Sequence, residues 1–498
     1  MSFSFTDVAS ILPALWLIVA ALVVVGYDAF FPSKDRRPLM ALSFVGVIGA
    51  IWTLAGRAWF QQGATVGFGG AIVLDELATF AGLAVLAATA LVLVSADIDT
   101  RRRGIAFGEY YGLVLLASAG MVMLVASDDF LTLFINLEIV SLALYVLTGI
   151  TRRNPRANEA AAKYLVTGAF ATTFLLLGIA LIYGATGTIS LPEIGAWLAK
   201  GNDSSLVTTG FGLVLVGFGF KIGAAPFHMW VPDVYEGAPT STTAFMSVTV
   251  KAAGVATLAR VLLTAAPSRP ELWSDLLWYG AVLTMVLGNL LATQQQSVKR
   301  MLAYSSIAHT GYALIALATL RDMSGGFSPA GASPVLFYLL TYTFMTLGAF
   351  MFLAYVGHEV ARGEGKAPEW QDAETFDDLA GLAWRRPWAA AAMTLFMVSL
   401  GGLPPTAGFI GKFYVFSAAV HQGHNLLAVI GVLASLVSWY YYLRVVVYLF
   451  MKEGEHADEQ PHAALGWVIG LSAFATIAIG LMPGSFIEAA QRSIANLN

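Results

Sequence analysis

The sequence predicts an all-α polytopic membrane protein of about 14 transmembrane helices, organised as an inverted repeat of five-helix units (spans 4–8 and 9–13) containing broken helices 7 and 12. Three observations carry this. Hydrophobic residues fill 58% of the 498 positions and charged residues 12%, with a mean hydropathy of +0.73, proportions outside the range of soluble domains. Apolar runs of about 20 residues, enough to cross a bilayer core of about 30 Å, recur along the whole chain. Two of those runs are interrupted by Pro and Gly and stand five spans apart, and an odd offset reverses the topology of the second copy.

Candidate spans lie near residues 10–31, 38–60, 77–95, 109–127, 130–150, 159–184, 206–229, 238–266, 272–293, 297–320, 333–356, 387–420, 424–451 and 464–485. No Lys or Arg precedes the first run from Ile11, unlike the basic start of a cleaved signal peptide, so the first helix is expected to be retained. Residues 1–108 then make an N-terminal unit of three helices, 109–266 the first repeat, 267–452 the second and 453–498 the last helix. The seventh span breaks within KIGAAPFHMWVP. There Pro226 removes a backbone donor and crowds the carbonyl four residues back, so the helix is expected to end just after Lys221. The twelfth breaks between Leu400 and Lys412, around Pro404 and Pro405. Broken helices survive in hydrocarbon only where protein buries the freed backbone or a wet cavity takes it, which points to an ion site at mid-membrane.

Basic residues set the expected orientation. Loops after odd-numbered spans hold Lys34, Arg36, Arg37, Arg101 to Arg103, Arg152, Arg153, Arg156, Lys299, Arg300, Arg362, Lys366, Arg385, Arg386 and Lys452. Loops after even-numbered spans hold scattered cases such as Lys200, Arg269 and Arg321. The bias places the odd loops in the cytoplasm and both termini outside. The mixed-charge loop at 357–386 reads as a solvated cytoplasmic connection. Composition also excludes functions. A net charge of -4 with no basic cluster interleaved with aromatics argues against nucleic acid. The absence of Cys excludes disulfides and thiolate-held zinc or iron–sulfur centres in this chain.

Each charge near a bilayer centre costs about 2.5–3.5 kcal/mol on insertion scales, so several in one chain imply pairing or water. Glu138 lies mid-span on a face with Ser141 and Tyr145, and Lys163 near the start of the sixth span has Thr167 one turn on. Lys221 and Lys412 flank the two breaks. Lys251 continues a four-residue stripe from Thr243 and Ser247, and the tenth span carries Ser305, His309 and Tyr312. Together these predict a polar axis across the bundle. Plainer readings stand beside it. Lys163, Lys299 and Arg300 suit snorkelling anchors at the interface, Glu138 suits a helix-binding glutamate, and His228 suits a cap as well as a proton carrier. His358, His421, His424, His456 and His462 read as solvated loop residues, and the Trp439 to Tyr442 cluster as interfacial or packing. The GFGFKIG run lacks a preceding strand and is no nucleotide loop.

Lysine suits proton work in such a place. Desolvation disfavours an ammonium and a nearby carboxylate restores it; at about 4 Å and an effective dielectric of about 20, that pairing is worth roughly 4 kcal/mol. Parting Glu138 from a partner such as Lys221 therefore turns a proton holder into a donor, with hydroxyl stripes and water passing the proton toward Lys251 and Lys412.

Four segments, DFLTLFINLEIVSLALYVLTG, KIGAAPFHMWVPDVYEGAPTSTTAFMSVTVKAAG, SVKRMLAYSSIAHTGY and GLPPTAGFIGKF, closely resemble the N-type (ND2-like) antiporter subunits of NADH:quinone oxidoreductase, respiratory complex I. The match covers roughly the fourth to thirteenth spans. The resemblance implies a proton-translocating membrane-arm subunit, with FMN, iron–sulfur clusters and quinone held by partner subunits, no cofactor or metal in this chain, and M-type and K-type subunits as neighbours in the lipid bilayer. It implies Glu138 and Lys221 as an input pair, Lys251 as the central lysine, Lys412 as the exit lysine, Lys163 as an additional lysine, and His309 as a tenth-span histidine of less defined role. M-type subunits carry a glutamate where this chain has Lys412, and L-type subunits end in a lateral helix for which 498 residues leave no room. D-type subunits of multisubunit Na+/H+ antiporters also carry a lysine after the twelfth-span break and remain an alternative. So does a structural scaffold, although helix association alone is served by neutral Ser, Thr or Asn. The Ala- and Arg-rich style and fourteen spans point to a bacterial inner membrane.

Overall fold

A computed structural model describes residues 4–31, 37–60, 63–105, 107–360, 369–454, 462–495 and 497. Its helices are α1 (Phe5–Phe30), α2 (Arg37–Trp59), α3 (Glu76–Arg102), α4 (Gly108–Ala126), α5 (Phe130–Thr148), α6 (Pro155–Thr186), α7 (Leu191–Ala199), α8 (Ser205–Ile222), α9 (Trp230–Gly237) and α10 (Thr240–Ala265). There follow α11 (Ser274–Thr293), α12 (Val298–Ala318), α13 (Ser333–Val356), α14 (Leu382–Arg385), α15 (Pro387–Gly401), α16 (Ala407–His421), α17 (Asn425–Met451), α18 (Ala463–Leu481) and α19 (Gly484–Ala495). Among the described residues, 13 of these helices are long and apolar enough to cross a membrane. They correspond to the expected spans except the twelfth, which is two 15-residue halves, α15 and α16. Lys34, Arg36, Arg362, Lys366 and His456 lie outside the described residues.

The seventh span breaks where expected, and a glycine makes the stop. Helix α8 closes at Ile222 because Gly223 takes a left-handed conformation at φ 74, which a side chain would oppose. Gly402, at φ 91, ends α15 in the same way. Cis bonds precede Pro226 and Pro405 in the two breaks. Neighbouring helices take up the freed backbone groups. Thr284 Oγ1 accepts from the Ala225 N–H at 2.9 Å, Thr310 Oγ1 donates to the Ile222 carbonyl at 2.9 Å, and Trp230 Nε1 donates to the Phe220 carbonyl at 3.0 Å. In the second break Ser399 Oγ accepts from the Gly408 N–H at 3.1 Å. Protein thus takes up freed backbone groups in both breaks, the condition for irregular backbone at this depth, while Pro226, Phe227 and Leu403 to Pro405 stay exposed.

Burial separates inner helices from outer ones. The central stretches of α10 and α12 are 94% buried, and that of α13 is 89% buried. Those of α1, α2 and α6 are 33% buried and present Leu22, Trp52 and Val166 outward, as lipid-facing helices do. Small residues allow close crossings. A Cβ on Gly178 of α6 would stand 2.7 Å from the Gly210 carbonyl of α8, so the two backbones touch directly. The structure also contains elements that hydropathy does not flag: the short helices α7 and α9, the terminal helix α19, and antiparallel hairpins pairing β1 (Thr65–Gly67) with β2 (Ile72–Leu74) and β3 (His358–Val360) with β4 (Glu369–Gln371). They are too short or too polar for a 20-residue apolar window.

Candidate functional site

Lys221 stands in the last turn of α8, 4% exposed, and its Nζ donates to Ser141 Oγ of α5 at 2.8 Å. Glu138, one turn before Ser141, is half-buried and accepts a 2.9 Å hydrogen bond from Thr172 Oγ1 of α6. Among the described residues the two form no ion pair within 4.0 Å. A cavity of about 10 Å³, lined by Ser141, Tyr145, Thr172 and Lys221, lies beside them; that is the size of one water. The acid and the lysine thus each hold a separate hydroxyl, and Ser141 and Thr172 line the same small cavity, an arrangement that helix-face arguments on single spans do not reveal.

Lys251 sits mid-way along α10, buried, with its Nζ on both the carbonyl and the hydroxyl of Ser306 of α12. Tyr342 of α13 donates to the same hydroxyl at 2.9 Å. A second cavity of about 10 Å³ is shared by Lys251, His309, Thr310, Tyr338 and Tyr342. His309 is hydrogen-bonded through Nδ1 with the Tyr338 hydroxyl and through Nε2 with the Tyr442 hydroxyl at 3.1 Å. Beyond it, Tyr441 donates to Asn289 Oδ1 at 2.9 Å and Asn289 Nδ2 donates to the Tyr312 hydroxyl at 3.2 Å. Lys412 ends the series. Its Nζ donates to Leu400 O at 2.8 Å, Gly401 O at 3.2 Å and Ser435 Oγ at 2.7 Å, and lies 4.8 Å from the Tyr312 ring centroid. The break in the twelfth span thus supplies the carbonyls that hold this lysine.

Lys163 is placed apart from this series. Its side chain is 45% exposed and pairs with Glu159 and Asp233, each at 2.7 Å. Asp233 also meets Arg300 at 2.8 Å, and Arg300 meets Glu236 at 2.7 Å. Lys299 and Arg300 are not the free anchors expected. Lys299 is buried, donating to the Ala238 carbonyl at 2.8 Å and pairing with Glu374 at 3.1 Å. Their partners, Glu374 in a loop and Asp233 and Glu236 in α9, lie 64 to 75 residues away along the chain, so charge counting could not reveal them. His424, expected to be solvated, is buried as well. The reading of Trp439 to Tyr442 as a packing cluster missed the hydroxyls of Tyr441 and Tyr442. A buried tyrosine needs a partner for its hydroxyl, and the signal was a tyrosine run inside an apolar helix.

A separate charge cluster lies where α4 meets α5. Arg260 of α10, 2% exposed, donates to Val125 O and to Asp75 Oδ1, both at 2.7 Å, and stands 3.9 Å from Asp128. Asp128 is in the connection between two spans. Burial pushes its carboxyl up to about 6, Arg260 opposing and Asp75 and Asp129 adding to the rise. Among the described residues no group of three or more His, Asp or Glu is placed to hold a metal.

Comparison with known proteins identifies the family. The family described as NADH:quinone oxidoreductase/Mrp antiporter, TM matches residues 127–438, a description that spans both transporter readings of the sequence. NADH-quinone oxidoreductase subunit N of Trichlorobacter lovleyi is 45% identical over 489 residues, covering 97% of this chain and 96% of the relative. The chain belongs to the NADH-quinone oxidoreductase subunit N family. Subunit N of Myxococcus xanthus is 42% identical, covering 97% of this chain and 96% of that relative. In solved structures, a chain of respiratory complex I from Thermus thermophilus with bound aureothin superposes with a TM-score of 0.79 at 32% identity, covering 96% of this chain and 98% of its own length. A chain of the Mrp complex from Dietzia reaches a TM-score of 0.84 at 21% identity, over 99% and 98% of the two chains, and shows the shared fold alone. Subunit N family membership makes this a multi-pass membrane subunit of respiratory complex I and sets the D-type antiporter reading aside.

Proposed function

We propose that this chain translocates protons in the membrane arm of NADH:quinone oxidoreductase, and that Glu138, Lys221, Lys251, His309 and Lys412 carry them. One observation supports the path most directly. Lys221, Lys251 and Lys412 are all buried and all held by neutral oxygens, with hydroxyls, carbonyls and two water-sized cavities beside them. A lysine held this way can release its proton without leaving a carboxylate unpaired. Neutral oxygens also accept from the ammonium and, as hydroxyls, turn to donate to the amine. His309, with an oxygen on each ring nitrogen, suits the step between Lys251 and Lys412. Glu138 acts on the first lysine across the water-sized cavity that Ser141 and Thr172 line. Lys163 joins this reading at the edge, where its exposed ion pairs with Glu159 and Asp233 stand within reach of an adjoining subunit.

In this reading spans four to eight and nine to thirteen are two units of opposite topology, each contributing one broken helix and the lysine beside it. FMN, iron–sulfur clusters and quinone belong to partner subunits, with M-type and K-type chains adjoining this one. Both termini face outward from a bacterial inner membrane. The experiment is NADH-driven, quinone-coupled proton pumping in membrane vesicles, comparing wild type with Lys221→Ala and Lys251→Ala after native gels establish assembly. Loss of pumping together with NADH oxidation supports the path, and unimpaired pumping in an assembled Lys221→Ala complex overturns it.

A further inference from the structure

The side of the bundle where α8 faces α11 carries two adjoining cavities that the proton path does not use. One, about 310 Å³, is apolar and lined by Gly212, Gly219, Ala225, Leu276, Gly280 and Leu283, with the broken segment from Ala224 to Phe227 along it. The other, about 260 Å³, is polar and lined by Ser274, Asp275, Trp278, Arg321, Asp322 and His424. Tyr279 lines both. The pair runs down a single helix. From Asp275 to Leu283 the rise is about 12 Å at 1.5 Å per residue, close to the roughly 15 Å of one hydrocarbon leaflet. Trp278 and Tyr279 mark the transition between polar and apolar ends, where such rings collect in a bilayer.

We infer that this composite cavity is a binding site for one phosphatidylethanolamine molecule, its head group among Arg321, Asp275 and His424 and an acyl chain in the groove between α8 and α11. Charge selects the head group. One arginine faces two carboxylates there, so an anionic lipid meets net repulsion, whereas a zwitterion offers a phosphate to Arg321 and an ammonium to the acids. Hydrogen bonding then selects among zwitterions. His424 is 8% exposed, and its Nε2 is hydrogen-bonded with the Arg321 carbonyl at 2.7 Å. That bond requires Nε2 to carry the hydrogen, because a carbonyl only accepts, and a neutral ring then presents Nδ1 as an acceptor. Nδ1 has no partner in the described structure. An ethanolamine ammonium has three N–H donors for it and for Asp275, while choline has none. The acyl chain covers the broken backbone at Ala224–Phe227 on the side that Thr284 does not reach. This inference is independent of the proton path.

Two glycines make the test clean. A Cβ on Gly280 or on Gly212 meets nothing within 4 Å, so Gly280→Phe and Gly212→Phe start from open space and are the substitutions chosen to fill the groove. The probe is phosphatidylethanolamine with a photoactivatable diazirine in its acyl chain, added to the intact complex in nanodiscs, followed by mass-spectrometric mapping of labelled peptides. Expected is labelling within 212–227 and 276–283, competed by unlabelled ethanolamine lipid at least fivefold better than by phosphatidylglycerol or phosphatidylcholine. It should fall at least fivefold in Gly280→Phe and in Arg321→Ala, with assembly intact on native gels; Gly212→Phe replaces Gly280→Phe if that variant fails to assemble. Equal competition by all three lipids would reduce the groove to ordinary bilayer contact and overturn the site. Absence of label, meaning that a neighbouring subunit covers this face, overturns it too, as does labelling unchanged by groove filling.

Discussion

Lys251 of α10 and His309 of α12 line one cavity of about 10 Å³, yet no hydrogen bond joins them in the described structure. The lysine is turned to Ser306 and the histidine to Tyr338 and Tyr442. On the proposed path, these two titratable groups would exchange a proton through the water-sized space they share.

The central pair is therefore expected to act as a unit. Lys251→Ala should lower NADH-driven pumping at least tenfold and NADH oxidation with it, and His309→Phe should do nearly as much. The double variant should be no worse than the worse single one, because a step already lost is not lost twice. Pumping and oxidation rates in vesicles measure this; additive losses would mean that the two act separately.

Thr172 is the hydroxyl that donates to Glu138. Hydrogen bonds to charged groups contribute about 1.5–3 kcal/mol, so Thr172→Val should slow turnover roughly tenfold while Thr172→Ser stays near wild type. Steady-state NADH oxidation in assembled complex checks it. A wild-type rate in Thr172→Val would show that Glu138 needs no such donor.

Asp128 gives a pH dependence with a definite sign. Its carboxyl is pushed up to about 6 from an ordinary 3.8, so folding favours the protonated form. The contribution to stability is fullest below about pH 4 and declines as pH rises through about 6. Asp128→Asn removes the buried charge and should raise the unfolding temperature at pH 7.5, the gain shrinking toward pH 5. Thermal unfolding of the purified complex at both values tests it; a gain that grows on acidification would reverse the assignment.

Close packing of α6 on α8 depends on Gly178, whose Cβ would meet the backbone of Gly210 and Val214. Overpacking typically costs about 1–3 kcal/mol, and here main chain rather than a side chain must yield. Gly178→Val should reduce assembled complex on native gels several-fold, whereas Gly184→Val, with nothing within 4 Å, should leave it unchanged.

Hydropathy alone located the spans, because a bilayer demands runs of a set length whatever the neighbours do. Both breaks were legible as well, since Gly and Pro act on the backbone locally. The lysines and Glu138 stood out because a charge inside an apolar run is conspicuous. Tyr338, Tyr342, Tyr441, Tyr442, Ser306 and Asn289 did not, since in sequence a tyrosine or serine in such a helix reads as packing. Lys299 and Arg300 looked like anchors because their partners Glu374, Asp233 and Glu236 come from other elements.

What this sequence determined by itself was everything set by short-range rules: the all-α membrane class, the order of the helices, the two interruptions, and which residues bring charge into hydrocarbon. The tertiary structure decided which of those charges meet. Lys221 found Ser141 instead of Glu138, Lys412 found the carbonyls of its own broken helix, and Lys163 was left at the edge with Glu159 and Asp233. The physical reason is range. Backbone breaks and hydrophobic length are properties of neighbouring residues, whereas a hydrogen bond between residues 80 positions apart, as from Lys221 to Ser141, exists only once the helices have packed.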